Sequence, residues 1–105
     1  MEAAKTRAQQ LIDENAVMVF SKSYCPYCRN TKNILKKLNA NFGLLELDQD
    51  DNGSAIQDAL QEMTGQRTVP NIFIGKKHIG GNSDLEAKKG KELEELLRSV
   101  GAIAA

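Results

Sequence analysis

Cysteine and histidine are scarce in this 105-residue chain, at two and one, and tryptophan is missing altogether. A structural zinc site takes four ligands, mostly Cys and His, so that pool excludes one of the ordinary kind. Two cysteines cannot build the disulfide framework of a small secreted domain either. At this length a chain can bury a core without such staples. Neither sign of charge is in excess: 14 basic and 14 acidic residues cancel, no basic run appears, and no global field favours nucleic acid. No apolar stretch approaches the roughly 20 residues of a membrane-spanning helix. The opening Met1-Glu2-Ala3-Ala4-Lys5-Thr6-Arg7 lacks the apolar centre of a secretory leader, and Glu2, Asp13 and Glu14 argue against a transit peptide. Repeats, low-complexity tracts, linkers, GxGxxG and P-loop signatures are also wanting. The expectation is one domain over residues 1–105, cytoplasmic, with neither nucleic acid nor membrane as a partner.

What the chain does have is both cysteines in one short stretch, Tyr24-Cys25-Pro26-Tyr27-Cys28. Val17-Met18-Val19-Phe20 before it reads as a short buried strand, and Arg29 to Leu35 after it as a helix. At a helix start, cysteines three apart share a face with Cα atoms about 5–6 Å apart, inside disulfide reach. CxxC at a strand-to-helix junction reads as a redox motif. Pro26 suits the first helical position, which makes Cys25 the N-cap. First-turn N–H groups would then face its sulfur, the helix dipole would favour negative charge there, and Lys22 and Arg29 add cations nearby. Cys28 lies a turn further in, with less help from solvent. The expected roles are Cys25 as nucleophile and Cys28 as resolving thiol. A structural disulfide would close too short a loop to stabilise much, and an inert buried pair does not suit an exposed strand–helix corner.

Apolar spacing organises the rest. Ala4, Ala8, Leu11 and Ile12 mark a first helix ending near Asn15, and Thr31, Ile34, Leu35 and Leu38 carry the core face of the helix after the cysteines. Leu44–Asp48 reads as a second strand, parallel to the first because the crossover is long. A polar loop over 48–53 leads to a helix carrying Ile56, Ala59, Leu60 and Met63, stopped by Gly65. Asn71–Ile74 and Lys77–Ile79 form a hairpin about Gly75-Lys76, and Leu93, Leu96, Leu97 and Val100 stripe a final helix. The expected fold is α/β, a four-stranded mixed sheet covered by helices on both faces.

Four segments together resemble a dithiol glutaredoxin: Lys22-Ser23-Tyr24-Cys25-Pro26-Tyr27-Cys28, Thr64-Gly65-Gln66-Arg67-Thr68-Val69-Pro70, Phe73-Ile74-Gly75-Lys76 and Ile79-Gly80-Gly81-Asn82-Ser83-Asp84-Leu85. The resemblance runs from the first strand to the last helix. Thioredoxins resemble WCGPC instead, and single-cysteine glutaredoxins CGFS. The resemblance implies a thioredoxin-like fold and a glutathione-disulfide oxidoreductase that reduces protein–glutathione mixed disulfides and protein disulfides. It implies glutathione as reductant, an electron-transport role linked to glutathione reductase only through glutathione, no resident metal, and a monomer. Its rival is a dimeric module holding a [2Fe–2S] cluster through the first cysteine and glutathione, against which Pro26 argues by stiffening the turn.

The resemblance also implies a glutathione site. Val69 would offer its backbone N–H and C=O to the tripeptide, with Thr68 beside it and Pro70 in the cis form. Lys22, assisted by Gln57 and Arg67, would meet the glycine carboxylate. Gln57 has a competing role, since Ser54-Ala55-Ile56-Gln57 fits a capping box, and Arg67 could be a solvated loop residue. Gly81, Ser83 and Asp84 would receive the γ-glutamyl end, helix-start N–H groups taking its carboxylate and Asp84 its ammonium. Ser83-Asp84-Leu85-Glu86 is itself a capping-box pattern, compatible with that role. Tyr27 would wall the reactive sulfur. His78, Tyr24 and the methionines read as structural residues.

Overall fold

The computed structural model describes residues 2–104. Helix α1 (Glu2–Glu14) leads into strand β1 (Val17–Ser21), helix α2 (Pro26–Lys37) and strand β2 (Gly43–Glu46). Helix α3 (Gly53–Thr64), the hairpin β3 (Asn71–Ile74) and β4 (Lys77–Gly80), and helices α4 (Asn82–Ala87) and α5 (Lys91–Ser99) complete the order. The strands line up as β2-β1-β3-β4, with β1 parallel to β2 and antiparallel to β3, and β3 antiparallel to β4.

All five residues of β1 are buried, as expected of a central strand covered on both faces. Alternation still sorts them. Met18 and Phe20, with Phe73, face Ala4, Ala8 and Ile12 of α1 and Ile56, Ala59 and Leu60 of α3. Val17 and Val19, with Ile72 and Ile74, face Ile34 and Leu35 of α2, Leu85 of α4, and Leu93 and Leu97 of α5. The rings of Phe20 and Phe73 meet edge to face at 5.9 Å.

The second strand is shorter than the expected 44–48. It ends at Glu46, and Leu47–Gln49 form a 3₁₀ turn. The turn drops Leu47 into the core and frees Asp48, whose carboxylate accepts the Ser23 N–H at 2.9 Å and the Ser23 hydroxyl. The turn also brings the chain very close to α3. A Cβ on Gly53 would lie 1.8 Å from the Leu47 carbonyl oxygen, so only glycine fits.

Both expected capping boxes are absent. Helix α3 starts at Gly53 with Asn52 as its cap, and the Gln57 amide donates to the Arg67 carbonyl at 2.8 Å rather than turning back to Ser54. Helix α4 is capped at Gly81, whose N–H donates to the Asp84 carboxylate at 2.8 Å, so Ser83 lies inside the first turn. Gly81 has no side chain to return the bond, which leaves half a box. The preceding Gly80 has φ of +123°, and a Cβ there would meet Asp84 Oδ2 at 2.2 Å. The C-terminal region holds two helices where one was expected to follow the hairpin, with Gly90 capping the second.

Candidate active site

Strand β1 delivers the chain to a turn over residues 22–25, closed by the Cys25 N–H donating to the Lys22 carbonyl at 3.1 Å. The Ser23–Asp48 bonds hold this turn against the end of β2. These two donors, with the Lys22 charge assisting, keep the Asp48 carboxyl below its usual range. Cys25 is the N-cap of α2, extended at φ −86° and ψ 121°, with Pro26 opening the helix. Its sulfur accepts the Cys28 N–H at 3.4 Å, one of the orphan donors of the first turn.

The two thiols have different surroundings. Cys25 is partly exposed, and Cys28 is fully buried. Burial pushes the Cys28 thiol up, against partial relief from the Ser21 hydroxyl and the Lys22 backbone. Cys28 is therefore held as a thiol beside a sulfur at a helix start, where the dipole favours negative charge.

Across from Cys25 lies Val69, whose carbonyl oxygen is 3.9 Å from Cys25 Sγ. The Val69–Pro70 bond is cis. No hydrogen bond among the described residues engages the Val69 N–H. Two surface depressions meet at Thr68 and Val69. One, of about 540 Å³, runs over Cys25 between Lys22, Tyr24, Gln57 and Arg67. The other, of about 460 Å³, lies between Tyr27, Pro70, Gly81, Asn82 and Ser83. A larger groove of about 700 Å³ between α1 and Met63 is lined by neither cysteine. The two smaller depressions share an open backbone edge beside the partly exposed Cys25 sulfur at its helix start.

A family model described as glutaredoxin matches residues 17–79. The chain belongs to the glutaredoxin family. Glutaredoxins are glutathione-dependent thiol–disulfide oxidoreductases, and this chain is an enzyme of that class. A glutaredoxin of Ricinus communis is 52% identical over 101 residues, covering 95% of this chain and 99% of the relative. Glutaredoxin-1 of Rhizophagus irregularis is 55% identical over 89 residues, covering 85% and 88%. Among solved structures, a buckwheat glutaredoxin–glutathione complex superposes with a TM-score of 0.95 at 48% identity, covering 98% of this chain and 94% of that one. The likeness bears out the thioredoxin-like fold.

In this glutaredoxin the glutathione-contact residues singled out from sequence, Asp84 excepted, line the two depressions, with different degrees of freedom. Lys22 is half-buried and forms no salt bridge among the described residues. Gln57 reaches the depression but spends its amide on Arg67. Arg67 is paired with Asp58 and lies 3.4 Å from the Gln61 side-chain oxygen. Tyr27 is 67% exposed. Gly81 and Ser83 line the second depression, whereas Asp84 lines neither and has one carboxylate oxygen committed to the Gly81 N–H.

Four residues escaped the sequence reading. Tyr24, taken as structural, is 67% exposed and lines the Cys25 depression. Asp48 anchors the cysteine turn. Asn82 accepts from Asn30 at 2.9 Å and from Thr31 at 2.8 Å, docking α4 on α2. Gln66 donates to the Thr68 and Pro70 carbonyls. Tyr24, Gln66 and Asn82 lie within the segments that carry the resemblance, which is the signal the sequence offers for them, and Asp48 has none.

Proposed function

We propose that Cys25 attacks glutathione mixed disulfides whose tripeptide lies across the two depressions, on the edge of Val69. The observation that carries this reading is the placement of the Cys25 sulfur, which accepts a helix-start N–H and faces a backbone residue with an unengaged N–H. The glutathione complex of the buckwheat relative supports it. Lys22 meets the glycine carboxylate as the cation free of a salt bridge, with Arg67 and Gln57 beside it. Thr68, Val69 and Pro70 carry the peptide, and Tyr27 walls the sulfur. Gly81, Ser83 and the second oxygen of Asp84 take the γ-glutamyl end.

The Cys25 thiolate forms a bond to the glutathione sulfur, the glutathione–protein disulfide breaks, and the protein leaves as a thiolate that takes up a proton. A second glutathione thiolate then attacks the glutathione sulfur on Cys25, releasing oxidised glutathione and the Cys25 thiolate. With a protein disulfide, Cys25 forms a mixed disulfide with the substrate. Cys28 gives up its proton and attacks the Cys25 sulfur, and the bond from Cys25 to the substrate breaks. The substrate leaves with both of its sulfurs reduced and protonated, and the Cys25–Cys28 bond remains for glutathione to reduce. The bound tripeptide fixes the in-line approach. The cluster-binding dimer gains no support over this reading from the geometry or the relatives. The enzyme acts as a cytoplasmic monomer, one domain over 1–105. Its partners are glutathionylated or disulfide-bonded proteins, and electrons reach it from glutathione reductase through glutathione.

A glutathione-coupled reduction assay on each single-cysteine variant tests the assignment. Cys25→Ser abolishes turnover on every substrate. Cys28→Ser retains most deglutathionylation and loses protein-disulfide reduction. Equal loss in both variants toward a glutathione mixed disulfide refutes the division of roles.

A further inference from the structure

Gln66 belongs to neither depression, yet its side-chain amide is tied to the segment between them. Nε2 donates to the Thr68 carbonyl and to the Pro70 carbonyl, each at 3.1 Å. Its own position is held from both ends, since its N–H donates to Thr64 Oγ1 at 3.1 Å and its carbonyl accepts the buried Asn71 amide at 3.4 Å. The Gly81 side of the site is close too: a Cβ on Gly81 would be 4.0 Å from Gln66 Nε2 and 3.7 Å from the Pro70 oxygen.

The bonding partitions the 68–70 segment into two edges. Carbonyls 68 and 70 share one donor and so lie on one side. The Val69 carbonyl lies on the other, 3.9 Å from Cys25 Sγ. A three-residue segment outside any ladder, running from exposed Thr68 through half-buried Val69 to buried Pro70, has several ways to satisfy its carbonyls, including turning one of them toward the cysteine. A single amide with two donors takes up both flanking carbonyls and leaves the Val69 pair as the edge available to a ligand.

We infer that Gln66 is a positioning residue that holds Thr68 and Pro70 so that only the Val69 edge faces the peptide of glutathione. The inference rests on the glutathione reading of the site. Gln66 touches no substrate. It sets the angle of the rung that does, and its contribution belongs to disulfides carrying a peptide backbone and not to small disulfides lacking one.

The test uses single-turnover rate constants for reduced enzyme with two disulfides, a cysteine–glutathione mixed disulfide and bis(2-hydroxyethyl) disulfide. Their ratio cancels any general change in Cys25 reactivity. Gln66→Met keeps the length and removes both donors; it lowers the ratio about tenfold, the effect of one well-formed hydrogen-bonded contact. Gln66→Ala lowers it as much, and Gln66→Lys, whose ammonium can again donate to both carbonyls, restores it to within about threefold of wild type. Thermal melting of each variant separates this from loss of fold, because a merely structural role lowers the melting temperature and leaves the ratio alone. A wild-type preference that survives in Gln66→Met overturns the inference alone. A wild type that does not prefer the glutathione disulfide overturns the glutathione reading and the inference with it.

Discussion

Gln57 and Asp84, two side chains weighed as ligand contacts, each bond to the backbone of a neighbouring loop or helix start, whereas Cys25 and Pro26 act within the first turn of α2. Cys25 and Pro26 could be placed from sequence because a helix cap and a first helical proline are local arrangements. Gln57 could not, because a helix-start N–H and a ligand carboxylate both suited its amide group, and only the folded loop brings the Arg67 carbonyl within 2.8 Å of its nitrogen. For Asp84 the cap alone is seen: one oxygen accepts the Gly81 N–H, and the other has no hydrogen-bond partner among the described residues. Its two substitutions therefore separate cap from ligand. Asp84→Asn keeps an oxygen for the Gly81 N–H but removes the charge proposed to meet the γ-glutamyl ammonium. It should melt close to wild type while its kcat/KM for a glutathione mixed disulfide, relative to a cysteamine one, falls about tenfold, the low end for a charge-assisted contact. Asp84→Ala should lose the same preference and about 0.5–1.5 kcal/mol of stability besides, the usual worth of one hydrogen bond. Equal slowing on both substrates would confine Asp84 to capping.

At the scale of elements, helices and the hairpin were read from periodicity, and the errors fell at boundaries where side chains bond outside their own element. The second strand lost two residues because Asp48 bonds Ser23, and α3 began early because Asn52 and Gly53 close a turn on Asp50 and Leu47. That turn is pinned to α1 by Arg7, which donates to both oxygens of Asp50 at 2.8 Å. The Arg7 guanidinium and the Asn52 N–H hold the Asp50 carboxyl below its usual range, and Lys89 with Asn30 does the same for Glu86 on α4. A carboxyl lowered in the folded state binds fewer protons there than in the unfolded chain, so its contribution is complete above the unfolded value of about 4. It is lost as pH falls through that value toward the folded one. The melting temperature should thus hold steady from neutral pH down to about 5 and decline below. Arg7→Met should lower the neutral plateau and make the acid decline shallower, since Asp50 then has less to lose. Parallel wild-type and Arg7→Met curves would show that the pair adds nothing.

The whole molecule explains why residues far apart in sequence form one site. Phe20 pairs with Asn71 across β1 and β3, so the chain leaving β1 toward Cys25 runs beside the chain entering β3 from Val69. Both halves could be read as motifs, but the antiparallel pairing that joins them depends on which strands become neighbours, and short apolar strands carry no record of that. The opposite end of the sheet serves a different purpose. Val17 pairs with Ile74 there, and α5 ends beside Gly75, where an added Cβ would lie 2.8 Å from Val100 Cγ1. Helix α5 contributes none of the residues around Cys25, and its fully buried Leu93 and Leu97 close the core over Val17, Val19, Ile72 and Ile74. Stability and catalysis should therefore come apart along the sheet. Leu97→Ala should cost about 2–5 kcal/mol in denaturant unfolding, the range for emptying a buried leucine site. Because the β1–β3 register and the first turn of α2 lie at the other end, kcat/KM per folded molecule, measured well below the melting transition, should stay within about twofold of wild type. A loss of activity in step with the loss of stability, among molecules that remain folded, would mean that the two ends of the sheet are coupled through its core.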